Sequence, residues 1–215
     1  MSVQDFMTKN VIAVKPETPI FDAVDLMKKN DIHRLPVLKH VKLVGLITEG
    51  IIAEAMPSKA TSLSVYEANY LLNKTTVGDV MEKKVLTIAP DDLLEDAIYK
   101  MRQHNVGVLP VLAGEKLVGM ITNNDIFDAF LKITGYNEGG ARITLQITED
   151  HQGILAKITQ LLADHEISIL TVVVNRMELA TIVEIQVSSR NTEMLRQLLT
   201  AEGFVVKAVV ATNPH

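Results

Sequence analysis

The chain has no cysteine and no tryptophan. Without a thiol there is no disulfide, no thiolate nucleophile and no cysteine-ligated metal. Aromatic residues make up 4% of the 215 positions, so the core must be aliphatic. Stacking platforms for single-stranded nucleic acid are not expected. No apolar run reaches the ~18 residues of a membrane-spanning helix. The formal charge of −5 gives no general attraction to DNA or to an anionic membrane, and neither is expected as a partner. The first ten residues, MSVQDFMTKN, carry Asp5 and no long apolar stretch, unlike a signal peptide. A soluble, cytoplasmic protein is the expectation.

What the chain does have is a repeat. Residues 3–52 and 77–126 align without a gap at an offset of 74, with 20 identities in 50 pairs. The shared positions include Asp5/Asp79, Met7/Met81, Pro16/Pro90, Met27/Met101, the Leu-Pro-Val-Leu blocks at 35–38 and 109–112, Gly45/Gly119 and Thr48/Thr122. A repeat of this size is a folded unit used twice, and two stacked copies create a cleft between equivalent surfaces.

Each copy has the same local pattern. A short apolar strand (Val11–Val14; Val85–Ile88) is followed by a proline turn. A helix start comes next, with Thr18 as N-cap before Pro19, and Asp92 as the cap in the second copy. Ile20, Ala23, Val24 and Met27, and likewise Leu94, Ala97, Ile98 and Met101, recur at helical spacing. Two short strands follow (Leu35–Leu38 and Leu43–Ile47 in the first copy), the second copy turning at Ala113-Gly114-Glu115. A second helix starts after Thr48 or Thr122. The predicted order is β-α-β-β-α.

Residues 57–76 join the copies, and Leu63, Tyr66, Tyr70 and Leu71 suggest helix there. The run from Gly135 to Gly140 reads as a helix stop and a flexible joint. Beyond it the composition changes. Strands over Arg142–Thr148, Ile167–Asn175, Ala180–Ser188 and Phe204–Ala211 alternate with helices after Gly153 and over Thr192–Ala201. This β-α-β-β-α-β order is the ferredoxin-like plan. The fold class is therefore mixed α/β and α+β. The expected domains are 1–56, 77–134 and 141–215, with linkers at 57–76 and 135–140.

These residues carry a resemblance. Each repeat resembles a CBS domain, through the Met-Thr-like start, the Leu-Pro-Val block and Gly-x-Ile-Thr before the last helix. The pair resembles a Bateman module. The C-terminal unit resembles an ACT domain, in strand order and in Asp150-x-x-Gly153-x-Leu155. With the linker segments Ala60–Ser64 and Glu67–Leu72, the whole is similar to acetoin-utilisation AcuB-type proteins.

The resemblance implies a regulatory adenine-nucleotide site and no catalytic cofactor. The CBS pattern Gly-x-Ile-Thr-x-x-Asp is whole in the second copy, as Gly119 to Asp125. Thr122 and Asp125 at a helix N-terminus suit a phosphate, and a carboxylate can accept both hydroxyls of a ribose. The same pair is also an ordinary helix cap. Val85 and the stretch from Val106 to Pro110 are the expected adenine walls. The first copy has Ile51 where Asp125 stands. In exchange it has His33-Arg34 where the second has Gly107-Val108. The CBS resemblance places these two basic residues across the pseudo-twofold axis, on the phosphate of one composite site; surface charge is the other reading.

In the C-terminal unit, Asp150 and Gly153 are the small-ligand candidates of an ACT domain. Gln152 stands where that family often has proline, and Glu166 near its frequent asparagine. A homodimer follows from the exposed sheet edge and from the habit of CBS pairs. The expected function is a non-catalytic nucleotide sensor that dimerises or relays through its ACT unit, with a possible regulated enzyme as partner and a possible link to acetoin metabolism. The alternatives are a degenerate scaffold without ligand, or a sensor of S-adenosylmethionine or a cyclic dinucleotide. No catalytic residue and no metal ligand is assigned: His151 beside Asp150 has no nucleophile or phosphate loop to serve.

Overall fold

In a computed structural model, residues 1–55, 74–149, 151–178 and 180–213 are described. The helical character expected around Leu63–Leu71 lies outside them. Contacts divide the chain into two units, Met1–Ile126 and Phe127–His215. No described helix is long and apolar enough to cross a membrane.

In the first unit each repeat contributes a helix, a hairpin and a second helix. The first has α1 (Ile20–Asn30), β1 (Arg34–Lys39), β2 (Lys42–Thr48) and α2 (Glu49–Ala55). The second has a one-turn helix α3 (Val77–Val80), then α4 (Leu94–His104), β3 (Val108–Ala113), β4 (Lys116–Thr122) and α5 (Asn123–Ile133), the last running into the second unit. The sheet order is β1-β2-β4-β3, and β2 meets β4 only at Lys42 and Lys116. The helical spacing seen in the sequence buries Ile20, Ala23 and Met27, and Leu94, Ala97 and Met101, against the hairpins.

Two expected details differ. The apolar segments before the proline turns are not full strands. Val14 and Ile88 alone bridge to Val37 and Val111, because Pro16 and Pro90 turn the chain away two residues later. The caps lie one residue further on, at Pro19 and Leu93. The Thr18 and Asp92 oxygens are already engaged, accepting from the backbone N–H of Lys15 and Ala89. In the second copy the Asp96 carboxylate accepts the N–H of Leu93 instead.

The repeats exchange their leading arms. Val3 N–H donates to the carbonyl of Asp92, and Thr8 and Met120 exchange backbone hydrogen bonds of 2.9 and 3.0 Å. Reciprocally, Val77 N–H donates to Thr18, and Glu82 and Leu46 exchange bonds of 2.9 Å each way. Val77 completes the core of the first repeat, with Val14, Leu35, Val37 and Ile47. The two shared glycines serve this exchange. A Cβ on Gly45 would collide with the Met81 sulfur, and one on Gly119 with the Met7 sulfur. Each glycine is the floor on which the other repeat's methionine lies.

The second unit holds β5 (Gly140–Ile147), α6 (Ile154–Asp164), β6 (Ile169–Arg176), β7 (Thr181–Val187), α7 (Thr192–Ala201) and β8 (Val205–Thr212). The antiparallel sheet has the order β6-β7-β5-β8. Alternate residues of β5 and β7 (Ile143 and Leu145, Val183 and Ile185) pack with Ile158, Leu162, Leu195 and Leu199 of the two helices. The other sheet face carries a polar network with one member from each strand. The Arg142 guanidinium of β5 and the Thr171 hydroxyl of β6 both donate to the Thr134 carbonyl, just past the end of α5, at 2.8 and 3.1 Å. Gln186 of β7, fully buried, accepts from Arg142 and donates to the Gly139 carbonyl and to Thr212 of β8. The glycine run read as a joint is thus held: Gly135 takes a left-handed φ of 67°, and the sheet's own side chains bind both its ends.

Candidate functional site

Two cavities of the first unit lie at the starts of the second helices, one at each. The first, of about 540 Å³, is lined by Thr48, Gly50 and Ile51 of one repeat, and by Glu82, Lys84, Val85 and Val106 of the other. The second, of about 220 Å³, is lined by Thr122 and Asn124, and by Thr8, Asn10, Val11 and Ile32. At the 74-residue offset the linings correspond: Thr48 to Thr122, Gly50 to Asn124, Glu82 to Thr8, Lys84 to Asn10, Val85 to Val11 and Val106 to Ile32. Each cavity is composite because the exchanged arm of one repeat lies beside the second helix of the other.

The four polar residues singled out from the sequence are brought together. Thr122, His33 and Arg34 line the second cavity, and Asp125 is bonded to Thr122. Of the expected apolar walls, Val108 lines both cavities and the rest do not line the second. Val85 and Val106 line the first cavity, and Pro110 lines neither; its carbonyl accepts from Ile88 in the hairpin frame. The walls beside Thr122 are Val11, Ile32 and Pro36, the counterparts of Val85, Val106 and Pro110 in the other repeat. The signal that could have found them was the repeat offset combined with the arm exchange.

Asp125 works first as a cap. One of its oxygens accepts from both the N–H and the hydroxyl of Thr122, at 2.7 Å each, while Asp125 N–H donates to the Thr122 hydroxyl at 3.3 Å. Such a reciprocal pair satisfies free N–H groups at the helix start. The second oxygen accepts only a long 3.4 Å bond from the Thr8 hydroxyl, so it retains acceptor capacity. In the first repeat Thr48 accepts from the N–H of Ile51, whose side chain returns nothing.

Arg34 stands half-buried and lines both cavities. Its guanidinium donates to the Gly107 carbonyl of the other repeat at 3.1 Å. Gly107 occupies the position equivalent to His33, and a Cβ there would press on the Arg34 guanidinium and the Asn123 amide, at 3.1 and 3.0 Å. His33 pairs with Glu49 at 2.9 Å, both well exposed. Among the described residues no His/Asp/Glu group is arranged to hold a metal.

In the second unit Gly153, with a φ of 92°, caps α6 and lines a cavity of about 300 Å³ with His151, Arg176 and Thr181. Asp150 lies outside the described residues. Glu166 is not part of that lining.

A family model described as the CBS domain matches residues 3–58 and 77–132, slightly more than half the chain. This protein belongs to the CBS-domain family. Its tandem pair forms a Bateman module. Among solved structures it is similar to a putative acetoin utilization protein (AcuB) from Vibrio cholerae, at 27% identity and a TM-score of 0.54, covering 64% of this chain and 96% of that one. It is similar to CBSX2 in complex with AMP, at 28% identity and a TM-score of 0.52, covering 61% and 97%. It is also similar to the CBS domain pair of protein MJ0100 in complex with 5'-methylthioadenosine and S-adenosyl-L-methionine, at 29% identity and a TM-score of 0.51, covering 60% and 95%. Among curated relatives, the L-aspartate semialdehyde sulfurtransferase of Methanocaldococcus jannaschii is 29% identical over 130 residues. Those residues are 60% of this chain and 23% of that protein.

Proposed function

We propose that this protein is a non-catalytic sensor that binds an adenine nucleotide in the second cavity of its CBS pair. The observation that carries the reading is the meeting, in one composite cavity, of the Thr122–Asp125 helix start with Arg34 of the other repeat. The Asp125 oxygen that accepts the long Thr8 bond receives the ribose hydroxyls, Arg34 the phosphate, and Val11, Ile32 and Pro36 flank the base. A charged donor and acceptor set at a helix start favours an anionic, hydroxylated ligand. The adenosine-derived ligands of CBSX2 and MJ0100 support the same chemistry.

The C-terminal unit acts in this proposal as an ACT-type domain that dimerises the protein or relays the bound state. The likeness to the Vibrio cholerae protein supports a link to acetoin metabolism. Thermal unfolding of the purified chain against AMP, ADP, ATP, adenosine and S-adenosylmethionine tests the ligand. AMP or ADP should raise the melting temperature by mass action. Arg34→Ala should reduce the AMP shift and leave the adenosine shift, because only the phosphate meets the guanidinium. The scaffold reading is favoured by Ile51 in the first cavity, and no shift with any ligand would establish it.

A further inference from the structure

We infer that the two cavities compete for one guanidinium, so that a phosphate-bearing ligand in one weakens phosphate binding in the other. The inference rests on the nucleotide reading above and names its regulation. Arg34 lines both cavities, and its counterpart in the second repeat is the buried, uncharged Val108. The pseudo-twofold module therefore has two sites and one arginine.

Lining charge makes that arginine decisive. In the first cavity Arg34 and Lys84 face Glu49 and Glu82. In the second, Arg34 faces Asp31. With Arg34 counted the first lining is formally neutral and the second, with Asp125 at its helix start, carries one negative charge, His33 being taken as neutral; with Arg34 withdrawn each becomes one charge more negative. A phosphate that draws Arg34 into one cavity leaves the other lined by excess negative charge, which repels a second phosphate.

Arg34 is also placed to move. Its hydrogen-bond partner is a neutral carbonyl, that of Gly107, and among the described residues no carboxylate pairs with it. The missing side chain at Gly107 leaves the guanidinium its place between the repeats. A ligand phosphate offers a stronger, charge-assisted partner than that carbonyl. The predicted coupling is a difference in affinity between two states of one side chain, and it is reciprocal between the cavities. A nucleoside without phosphate does not call on Arg34 and escapes the coupling.

Ile51 by itself disfavours ribose in the first cavity, so the test restores the carboxylate there. AMP and adenosine are titrated calorimetrically into Ile51→Asp, with Ile51→Asn as the neutral substitute should the aspartate unfold the repeat. AMP should bind in two steps at least tenfold apart in affinity. Adenosine should bind in two steps of similar affinity. Adding Arg34→Ala should bring the two AMP steps together, both weak. Two AMP steps of equal affinity with Arg34 intact would overturn the inference while leaving the nucleotide reading standing. A single step for both probes would overturn it as well, since the first cavity would then be closed on grounds other than charge. No binding by the wild-type chain would remove the nucleotide reading and this inference together.

Discussion

The two repeats have the same frame and different linings. Hairpin register, helix starts, arm exchange and the glycine under each methionine agree pair by pair. The residues at the cavity mouths do not: Ile51 stands against Asp125, Glu82 against Thr8, Lys84 against Asn10, and Gly107 against His33. The frame is held by burial and backbone pairing, which tolerate little change in size. The cavity mouths are solvent-facing, so side chains there can diverge at small cost in stability. Symmetry in this module is a property of the scaffold, and asymmetry a property of the sites.

The largest expected effect tests the shared frame. Leu35 and Leu109 are fully buried counterparts. Each change to Ala should cost about 2–5 kcal/mol, the usual range for a buried Leu→Ala cavity. The two losses, read by urea unfolding, should be similar; a large disparity would mean that the repeats do not fold as one cooperative unit.

The next effect separates the sites. Asp125→Ala should weaken AMP binding roughly tenfold to a hundredfold, since a hydrogen bond to a charged group is worth about 1.5–3 kcal/mol. It should also remove the Thr122 cap. Ile51→Ala should leave AMP affinity at the second cavity unchanged. Calorimetry on a folded Asp125→Ala protein with native affinity would take Asp125 out of the site.

A smaller effect probes the exchanged arms. Gly119→Ala should cost about 1–3 kcal/mol, the range for overpacking, because the new Cβ meets the Met7 sulfur and lies 3.1 Å from the Thr8 carbonyl oxygen. Met7→Ala added to it should recover part of the loss. Strict additivity of the two changes would place Met7 away from Gly119 in solution.

The smallest effect concerns acid. Asp5 and Asp79 are counterparts whose pKa values are lowered, first by the backbone N–H of Ser2 or Thr76 and then by their hydroxyls. A carboxyl depressed on folding stabilises above its ordinary value, 3.8 here, and that contribution is lost as pH falls through the lower folded value. Asp79→Asn should therefore lower the melting temperature slightly at neutral pH, with the difference from wild type closing as pH falls below that value. Asp5→Asn should do the same to the same small extent.

Much of this was legible before any coordinates. The repeat, its buried methionines and Leu-Pro-Val blocks, and the β-α-β-β-α-β order of the last third follow from periodicity and identity along the chain. The caps were misplaced by one residue because the Thr18 and Asp92 oxygens can close either the preceding turn or the helix, and local sequence does not distinguish the two. Thr122, Asp125, His33 and Arg34 stand out because their chemistry marks them, as a Thr-x-x-Asp helix start and a His-Arg pair without a counterpart; Thr8, Asn10, Asp31 and Asn124, which also line the second cavity, carry no such mark. Of the expected apolar walls, Val108 does line the second cavity, while Val85, Val106 and Pro110 are at the right register but in the other copy, since valines and isoleucines look alike wherever they line.

The linear pattern of apolar and polar residues determined the element order and the side that each helix buries, because these depend on neighbours three or four positions away. Only the folded chain decided which copy walls which cavity, that Arg34 lines both cavities, and that β5 and β6 hold the Thr134 carbonyl just past α5. Those outcomes depend on segments up to 117 residues apart, brought together by the arm exchange and the polar network. No local period in the sequence encodes that crossing.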